Sequence, residues 1–547
     1  MRVFISLFFI TVSTLVFSQP ADRPKLVVGI MVDQMRQEYL FRYWDKFGDH
    51  GFKRLVNQGF TLQNAHYNYV PTITGPGHAS VYTGTTPAYH GIIENSWFDK
   101  VTGKNAYCAG DDSQQTVGSE TTSVGKMSPH RMLTTTITDE LKLATQKRSK
   151  VIGISFKDRG AILPAGHLAD AAYWYDGNTG RFVTSTYYMS KLPAWTEKFN
   201  NQNLPDKYLS GTWNTLRPID QYVESGPDAT QYEGKLGENK SVFPYDLKEL
   251  RKTNGNFNLL SQTPFANDYL TEFFKAVIDG EKMGSGKETD FLAISYSTTD
   301  IIGHRTGPQS IEVQDAYLRL DKNIEDLLKK LDQTVGAGNY LVFLTADHAV
   351  ADVPQFLADS KVPAGYIRSS QLGAELKEIL KQYFPDREII RSFSGGQIFL
   401  NHEAFSADPR SGGVELMLAT EIISNFLMQQ SGIANVFTRQ QLRMGDYSEG
   451  GIKGMVIRGY HPKRGGDLVI VPEPGWFDSS RIQGTTHGSP YRYDTHVPII
   501  FFGKGIKPGS SVTYHTITDI APTLSMLLKI KFPNGCTGQP IGELFER

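Results

Sequence analysis

The chain has 547 residues, 39% hydrophobic and 21% charged, with 56 Lys and Arg against 57 Asp and Glu. That composition argues against a disordered or fibrous protein, and a net charge of -1 argues against a broad platform for nucleic acid or anionic membrane. Cys108 and Cys536 are the only cysteines, too few for a zinc–thiolate site, so any metal must use His and carboxylate ligands.

The chain opens on MRVFISLFFITVSTLVFSQP, one Arg, a long apolar run and then small residues. That is the pattern of a secretory signal cut between Ser18 and Gln19; the run is short for a membrane anchor. A periplasmic or secreted chain without an anchor is expected, in which the two cysteines could pair or stay apart as thiols. KLVVGIMVD (25–33) reads as a strand covered on both faces. PTITGPGHASVYTG (71–84) reads as a turn leading into a helix. Its threonines could cap that helix, or one could attack a phosphate held at the helix N-terminus. GIIENSWFD carries Asn95, a turn residue or a donor to a phosphate oxygen.

KVIGISFK (150–157) is a second buried strand, continued by Asp158 and Arg159. From 161 to 285 the chain is rich in aromatics, Asn and Gly, and 173–188 reads as a hairpin. DFLAISYS (290–297) and NYLVFLTADH (339–348) are further strands, separated by a helix over 313–331. Another mixed stretch, 353–465, contains the likeness of a strand at 395–401. DLVIVPEP (467–474), VPIIFFG (497–503) and a helix over 518–528 complete the chain. The alternation predicts an α/β fold, a mostly parallel central sheet flanked by helices. Its discontinuous core would be 19–160, 286–352 and 466–547, with 161–285 and 353–465 inserted as cap segments.

Three predicted strands end in chemistry. Asp33 closes the first; Asp300 follows the third, with His304 four residues on; Asp347 and His348 close the fourth. Ligands of open α/β sheets bind beyond the carboxyl ends of strands. Asp300 and His304 share a face if that segment is helical. Asp347 and His348, as neighbours, can share a site only where the strand has ended. His487, in GTTHGSPYRYDTH, is the next candidate, with Asp494 and His496 as further ligands or supports. This set suits two divalent ions, most simply zinc, which would clamp an in-line displacement and activate a threonine hydroxyl. Lys157 and Arg159, two apart at a strand end, would lie on one face as an anion clamp.

VDQMR, PTITGPGHASVYTG, GIIENSWF, SFKDRG, STTDIIGH, TADHAV and THGSPYRYDTHVPIIFF occur in this order along nearly the whole mature chain. The chain thereby resembles the alkaline phosphatase superfamily, in particular the phosphate-irrepressible alkaline phosphatases of bacteria, the PafA type. The resemblance implies Thr74 as nucleophile and Thr72 as its neighbour only. It implies one zinc held by Asp300, His304 and His487, and a second by Asp33, Asp347 and His348 with the Thr74 oxygen. Asn95, Lys157 and Arg159 would contact the transferred phosphoryl group. The implied function is a two-zinc phosphate monoesterase working through a phospho-threonine, a monomer acting on small phosphorylated substrates. The alternatives are a phosphodiesterase or nucleotide pyrophosphatase of the same superfamily, or a non-catalytic metal- or phosphate-binding envelope protein. Basic residues against the extra charge of a monoester dianion favour the monoesterase.

Overall fold

The computed structural model describes residues 23–237 and 241–546, so the signal segment expected over 1–18 lies outside the described residues. An eleven-stranded sheet spans the centre. Five of its strands run parallel and side by side, in the order Tyr340–Thr345, Leu26–Val32, Asp290–Tyr296, Val151–Ser155 and Ala171–Asp176. Every residue of the first four is buried, which is why they read as apolar runs without alternation. Val32 pairs with Tyr296, Met31 with Thr345, and Ser155 with Ser295. This register brings the carboxyl ends of four strands, and the residues that follow them, to one edge. Ile311–Leu331 forms the long helix expected over 313–331, buries Tyr317, Leu320, Ile324, Leu327 and Leu331, and is capped by Ser310.

One strand of the sheet runs against its parallel majority, and two expectations, for the hairpin and for the run 467–474, are corrected. His496–Gly503 joins antiparallel to Tyr340–Thr345, because its chain enters from the opposite end. The hairpin of Ala171–Asp176 and Arg181–Ser185 forms, but it extends the central sheet rather than building a cap, since its aromatic side chains are buried against that core. The run 467–474 does form a strand, Leu468–Pro472, yet it belongs to a separate antiparallel sheet with Ile390–Ser394, Gln397–Leu400 and Ile433–Thr438. Leu468 and Val471 are buried while Val469 and Ile470 are only partly so. The strand is therefore less completely buried than the strands of the central sheet.

The smaller sheet carries its own core of Leu376, Ile398, Ile423 and Leu427, contributed in part by the helices Ser369–Tyr383 and Pro409–Met428. Its hairpin turn, Gly395–Gly396, reaches the main body. Both glycines have positive φ, +59° and +67°, and a Cβ at Gly395 would come within 2.8 Å of Glu94 Oε2. The smaller sheet therefore meets the main body at Glu94.

Candidate active site

The helix Thr74–Thr83 begins after extended Ile73, tolerates Pro76 in its first turn, and stops at left-handed Gly84. No side chain caps its N-terminus. Thr72 instead donates its hydroxyl to the Ser489 carbonyl at 3.0 Å. The capping explanation for these threonines thus fails, and Thr74, 1% exposed, is the first helical residue. The Gly75 N–H donates to Asn95 Oδ1 at 2.8 Å, which fixes Asn95 beside the helix start. A Cβ on Gly77 would lie 2.2 Å from the Asp347 carbonyl oxygen, so only glycine lets the helix approach the Asp347 loop this closely.

Asp33, Asp300, Asp347 and His348 are all nearly or fully buried at the shared strand edge. Thr298–Thr306 is helical, so Asp300 and His304 share a face, with His304 Nε2 3.1 Å from Asp300 Oδ1. His487 Nε2 lies 3.5 Å from the same oxygen and 3.2 Å from His304 Nε2. The Nδ1 atoms of these two rings face the carbonyls of Thr485 and Thr72 at 2.8 and 2.7 Å. Each Nδ1 therefore carries the proton, and the two Nε2 lone pairs converge with a carboxylate. That is a three-ligand arrangement for a cation.

The strand before Asp347 ends at Thr345, which lets Asp347 and His348 turn to one site. His348 Nε2 is 3.3 Å from Asp33 Oδ1 and 3.5 Å from Asp347 Oδ2. All three of these buried atoms lack a hydrogen-bond partner. Ligand atoms of Asp33, Asp300 and His348 lie within 4.8 Å of one another, so Asp300 reaches both groups. Asp347 is turned partly away, its Oδ1 accepting from the Gln34 N–H at 3.2 Å. Burial disfavours charge on Asp300, but His304 and Lys157 hold it well below its ordinary value. Burial and the Asp33 charge drive Asp347 well above its own. His348 is pushed up to about 9, because Asp347 and Asp33 outweigh the cost of burying its charge. His487, stacked on His348 at 3.4 Å between ring centroids, is brought down to about 3 by burial and by that neighbour. Orphaned carboxylate oxygens and imidazole nitrogens in a dry site fit N/O-ligated divalent cations.

Lys157 and Arg159 do not owe their placement to strand alternation. The strand ends at Ser155; Lys157 occupies the cap position of the helix Asp158–Ala165, and Arg159 its first turn. Lys157 Nζ reaches Asp33 Oδ2 at 2.6 Å and Asp300 Oδ2 at 2.5 Å, between the two ligand groups. Arg159 donates to the Tyr107 hydroxyl at 3.2 Å, and its buried Nε has no partner. Of the remaining candidates, His496 lies apart, bonded to the Gln63 carbonyl and stacked on His66. Asp494 accepts the Gly488 and Ser489 N–H groups and braces the His487 loop.

Sequence reasoning missed Gln34 and His78. Gln34, at a φ of 68°, donates Nε2 to Asp300 Oδ1 at 2.7 Å. His78 Nδ1 sits 2.9 Å from the Thr74 carbonyl and 3.4 Å from Asp347 Oδ2, joining the Thr74 helix to the Asp347 loop. Its position one helical turn after Thr74 was the available signal. The two cysteines are free: Cys108 Sγ lies against Gly75 and Cys536 Sγ against Gly84. Those glycines sit at opposite ends of one helix, about 14 Å apart by helical rise, beyond disulfide reach.

Residues 27–491 match the family model of type I phosphodiesterase / nucleotide pyrophosphatase. The chain is 44% identical over 528 residues to alkaline phosphatase PafA of Elizabethkingia meningoseptica, covering 96% of this chain and 95% of that one. It is 45% identical over 538 residues to a Myroides odoratus protein named calcium-transporting ATPase, covering 97% and 96%. Among the described residues no helix is long and apolar enough to cross a membrane. The crystal structure of PafA superposes with a TM-score of 0.90 over 95% of this chain and 99% of that one. A solved variant of that protein is substituted at a threonine, an asparagine, a lysine and an arginine, at the same intervals as Thr74, Asn95, Lys157 and Arg159 here.

Proposed function

Because this chain belongs to the type I phosphodiesterase / nucleotide pyrophosphatase family of the alkaline phosphatase superfamily, we propose a mechanism in which Thr74 carries the phosphoryl group. The protein is a hydrolase of phosphate monoesters. The observation that carries the mechanism is the convergence of two ligand groups, sharing Asp300, beside the uncapped start of the Thr74 helix. Two zinc ions are the cofactors of this reading: Asp300, His304 and His487 would hold one, and Asp33, Asp347 and His348 the other. Bound there, they supply the positive charge that favours the Thr74 alkoxide and stabilises the departing oxygen.

The chain's own groups do the rest. The first turn of the helix presents Thr74 to phosphorus, and the Gly75 N–H anchors the Asn95 amide beside it. The Thr74 hydroxyl gives up its proton to solvent, its Oγ–P bond forms as the ester P–O bond breaks, and the departing oxygen takes up a proton; water then adds its oxygen to phosphorus and a proton returns to Thr74, releasing phosphate. Arg159, with Nε unpartnered, and Lys157 would face the non-bridging oxygens of the dianion. With cations at the Asp33 and Asp300 oxygens, repulsion would release the Lys157 ammonium toward the phosphoryl group. Export of a monomer, the cut at Ser18/Gln19 and small phosphorylated substrates belong to the same proposal, as does a cap formed by 353–465 together with the strand that follows.

The test compares kcat/KM for an aryl phosphate monoester and the matching methyl phosphodiester on zinc-loaded protein. A strong monoester preference that collapses in the Lys157→Ala, Arg159→Ala double variant is expected. A diester preference in the unaltered protein would overturn the roles given to Lys157 and Arg159. Thr74→Ala should lose turnover while keeping its metal; retained activity would remove Thr74 as nucleophile.

A further inference from the structure

A cleft of about 410 Å³ opens between the main body and the cap. His304 and His487 line it, as do Ile73 and Asn95, whereas Lys157 and Arg159 do not. Thr74 lies toward the other ligand group, because its helix packs on Asp347 through Gly77 and His78. Attack in line from that side drives the leaving group away from Asp347, toward His304 and His487 and so into the cleft.

The cleft's walls are apolar and aromatic on the cap side, with Tyr460, Trp476, Phe477 and Tyr493 among them. The Trp476 ring is wedged between Gly365 and Gly432, where a Cβ would come within 2.5 and 2.2 Å of it, so that wall is fixed. The charged side chains on the lining, apart from the metal-ligand histidines, are carboxyls: Glu94, Asp478 and Asp494. Glu94 Oε1 accepts the Asn95 N–H at 3.1 Å, and its Oε2 faces the Gly395 turn of the cap. Asp478 accepts from the Ser369 N–H and hydroxyl, and Asp494 from two backbone N–H groups. Among the described residues no Lys or Arg lines the cleft.

Resting on the monoesterase reading above, we propose that this cleft receives the leaving group and selects it by charge. It favours monoesters of neutral aromatic or cationic alcohols and phenols, and disfavours those whose leaving group bears a second anionic group, such as a further phosphate or a carboxylate. Like charges brought together beside partly buried carboxyls repel more strongly than in bulk, and no Lys or Arg on the lining pairs with the incoming anion, although Arg159 behind it offsets part of the Glu94 charge. Burial pushes the Glu94 carboxyl up to about 8, so the discrimination is measured above that pH, where Glu94 is ionised.

Three phenyl phosphates test it, bearing a para carboxylate, carboxamide or aminomethyl group. On the zinc-loaded full chain, kcat/KM for the carboxylate should fall at least about tenfold below the carboxamide, and the ammonium substrate should equal or exceed the carboxamide. The matching arylphosphonates, which are not cleaved, should bind in the same order. Within Glu94→Gln and within Asp478→Asn, the carboxamide-to-carboxylate ratio should shrink several-fold, and within Asp478→Lys it should shrink further. Taking that ratio inside each variant cancels any loss of fold or metal. Equal rates and affinities for all three probes would overturn the charge selection and leave the monoesterase reading intact. Absence of turnover of every probe, with zinc bound, would overturn the monoesterase reading and the inference with it.

Discussion

Gly77 and Lys157 each make the site possible through one atom's position. A Cβ at Gly77 would meet the Asp347 carbonyl oxygen at 2.2 Å and the Asp347 Cβ at 2.8 Å, both within a loop that cannot swing aside. Gly77→Ala should therefore destabilise the protein by about 1–3 kcal/mol, as overpacking does. It should also weaken metal binding, because Asp347 is displaced. Thermal melts and metal titration check both, and an unchanged metal affinity would show that the helix and ligand loop move independently. Lys157 is the nearest cation to the Asp33 and Asp300 carboxylates, at 2.6 and 2.5 Å. Lys157→Ala should lower monoester kcat/KM by about a hundredfold or more, in the range seen when one preorganised electrostatic contact is removed. The loss on the diester should be smaller.

Elements explain why the sequence could be read at all, and where it could not. The helix Thr74–Thr83 is entirely buried, so its helical pattern had no polar face to reveal it; Pro76 and Gly84 marked its ends. Both cysteines rest against this one helix, and that predicts chemistry without pairing. Two thiols should titrate in denatured protein, with only half-buried Cys536 reacting at an appreciable rate in the native state. A single intact disulfide under denaturing, non-reducing conditions would contradict the structure. Near the C-terminus, His515 Nε2 lies 3.1 Å from Glu543 Oε1 and ties the strand edge to the last turn. Despite the opposing effect of burial, its own backbone N–H and His515 bring Glu543 down to about 2. Its stabilising contribution is therefore complete above 4.5 and fades as pH falls toward 2. The bond to Asp519 raises His515 above 6.5, more than burial lowers it, so that its contribution is complete below 6.5 and fades as pH rises through the raised value. Glu543→Gln should thus lower stability most between about 4.5 and 6.5, by under about 1 kcal/mol for a partly exposed pair. A Tm difference that is flat across that range would refute the linkage.

Across the whole molecule, the sheet gathers three buried carboxylates and one ammonium at a single edge. Such a site is strained by its own charge until cations fill it. Chelation should abolish turnover and lower Tm. Saturating zinc at about a thousand times its Kd should restore about 4 kcal/mol for each site, with two equivalents bound. One equivalent at full activity would reduce the proposal to a single-metal enzyme. The smaller sheet takes in a strand that the sequence assigned to the core, Leu468–Pro472, and walls the cleft with it.

Composition, strand pattern and strand-end residues were legible in the sequence because they are local. Apolar β-branched runs mark strands buried on both faces, and polar residues just beyond them mark the ligand-bearing edge. Asp33, Asp300, His304, Asp347, His348 and His487 could therefore be named from the chain alone, and the structure brings all six together. Lys157 and Arg159 were found for a reason that does not hold, since a helix rather than a strand carries them there. What the sequence could not decide was pairing between distant segments. The antiparallel entry of His496–Gly503, the transfer of Leu468–Pro472 to the cap, the bridge from His78 to Asp347, and the cation-free cleft all depend on contacts across hundreds of residues. Such contacts are set by which surfaces exclude water from one another, and no local period in the chain records that choice.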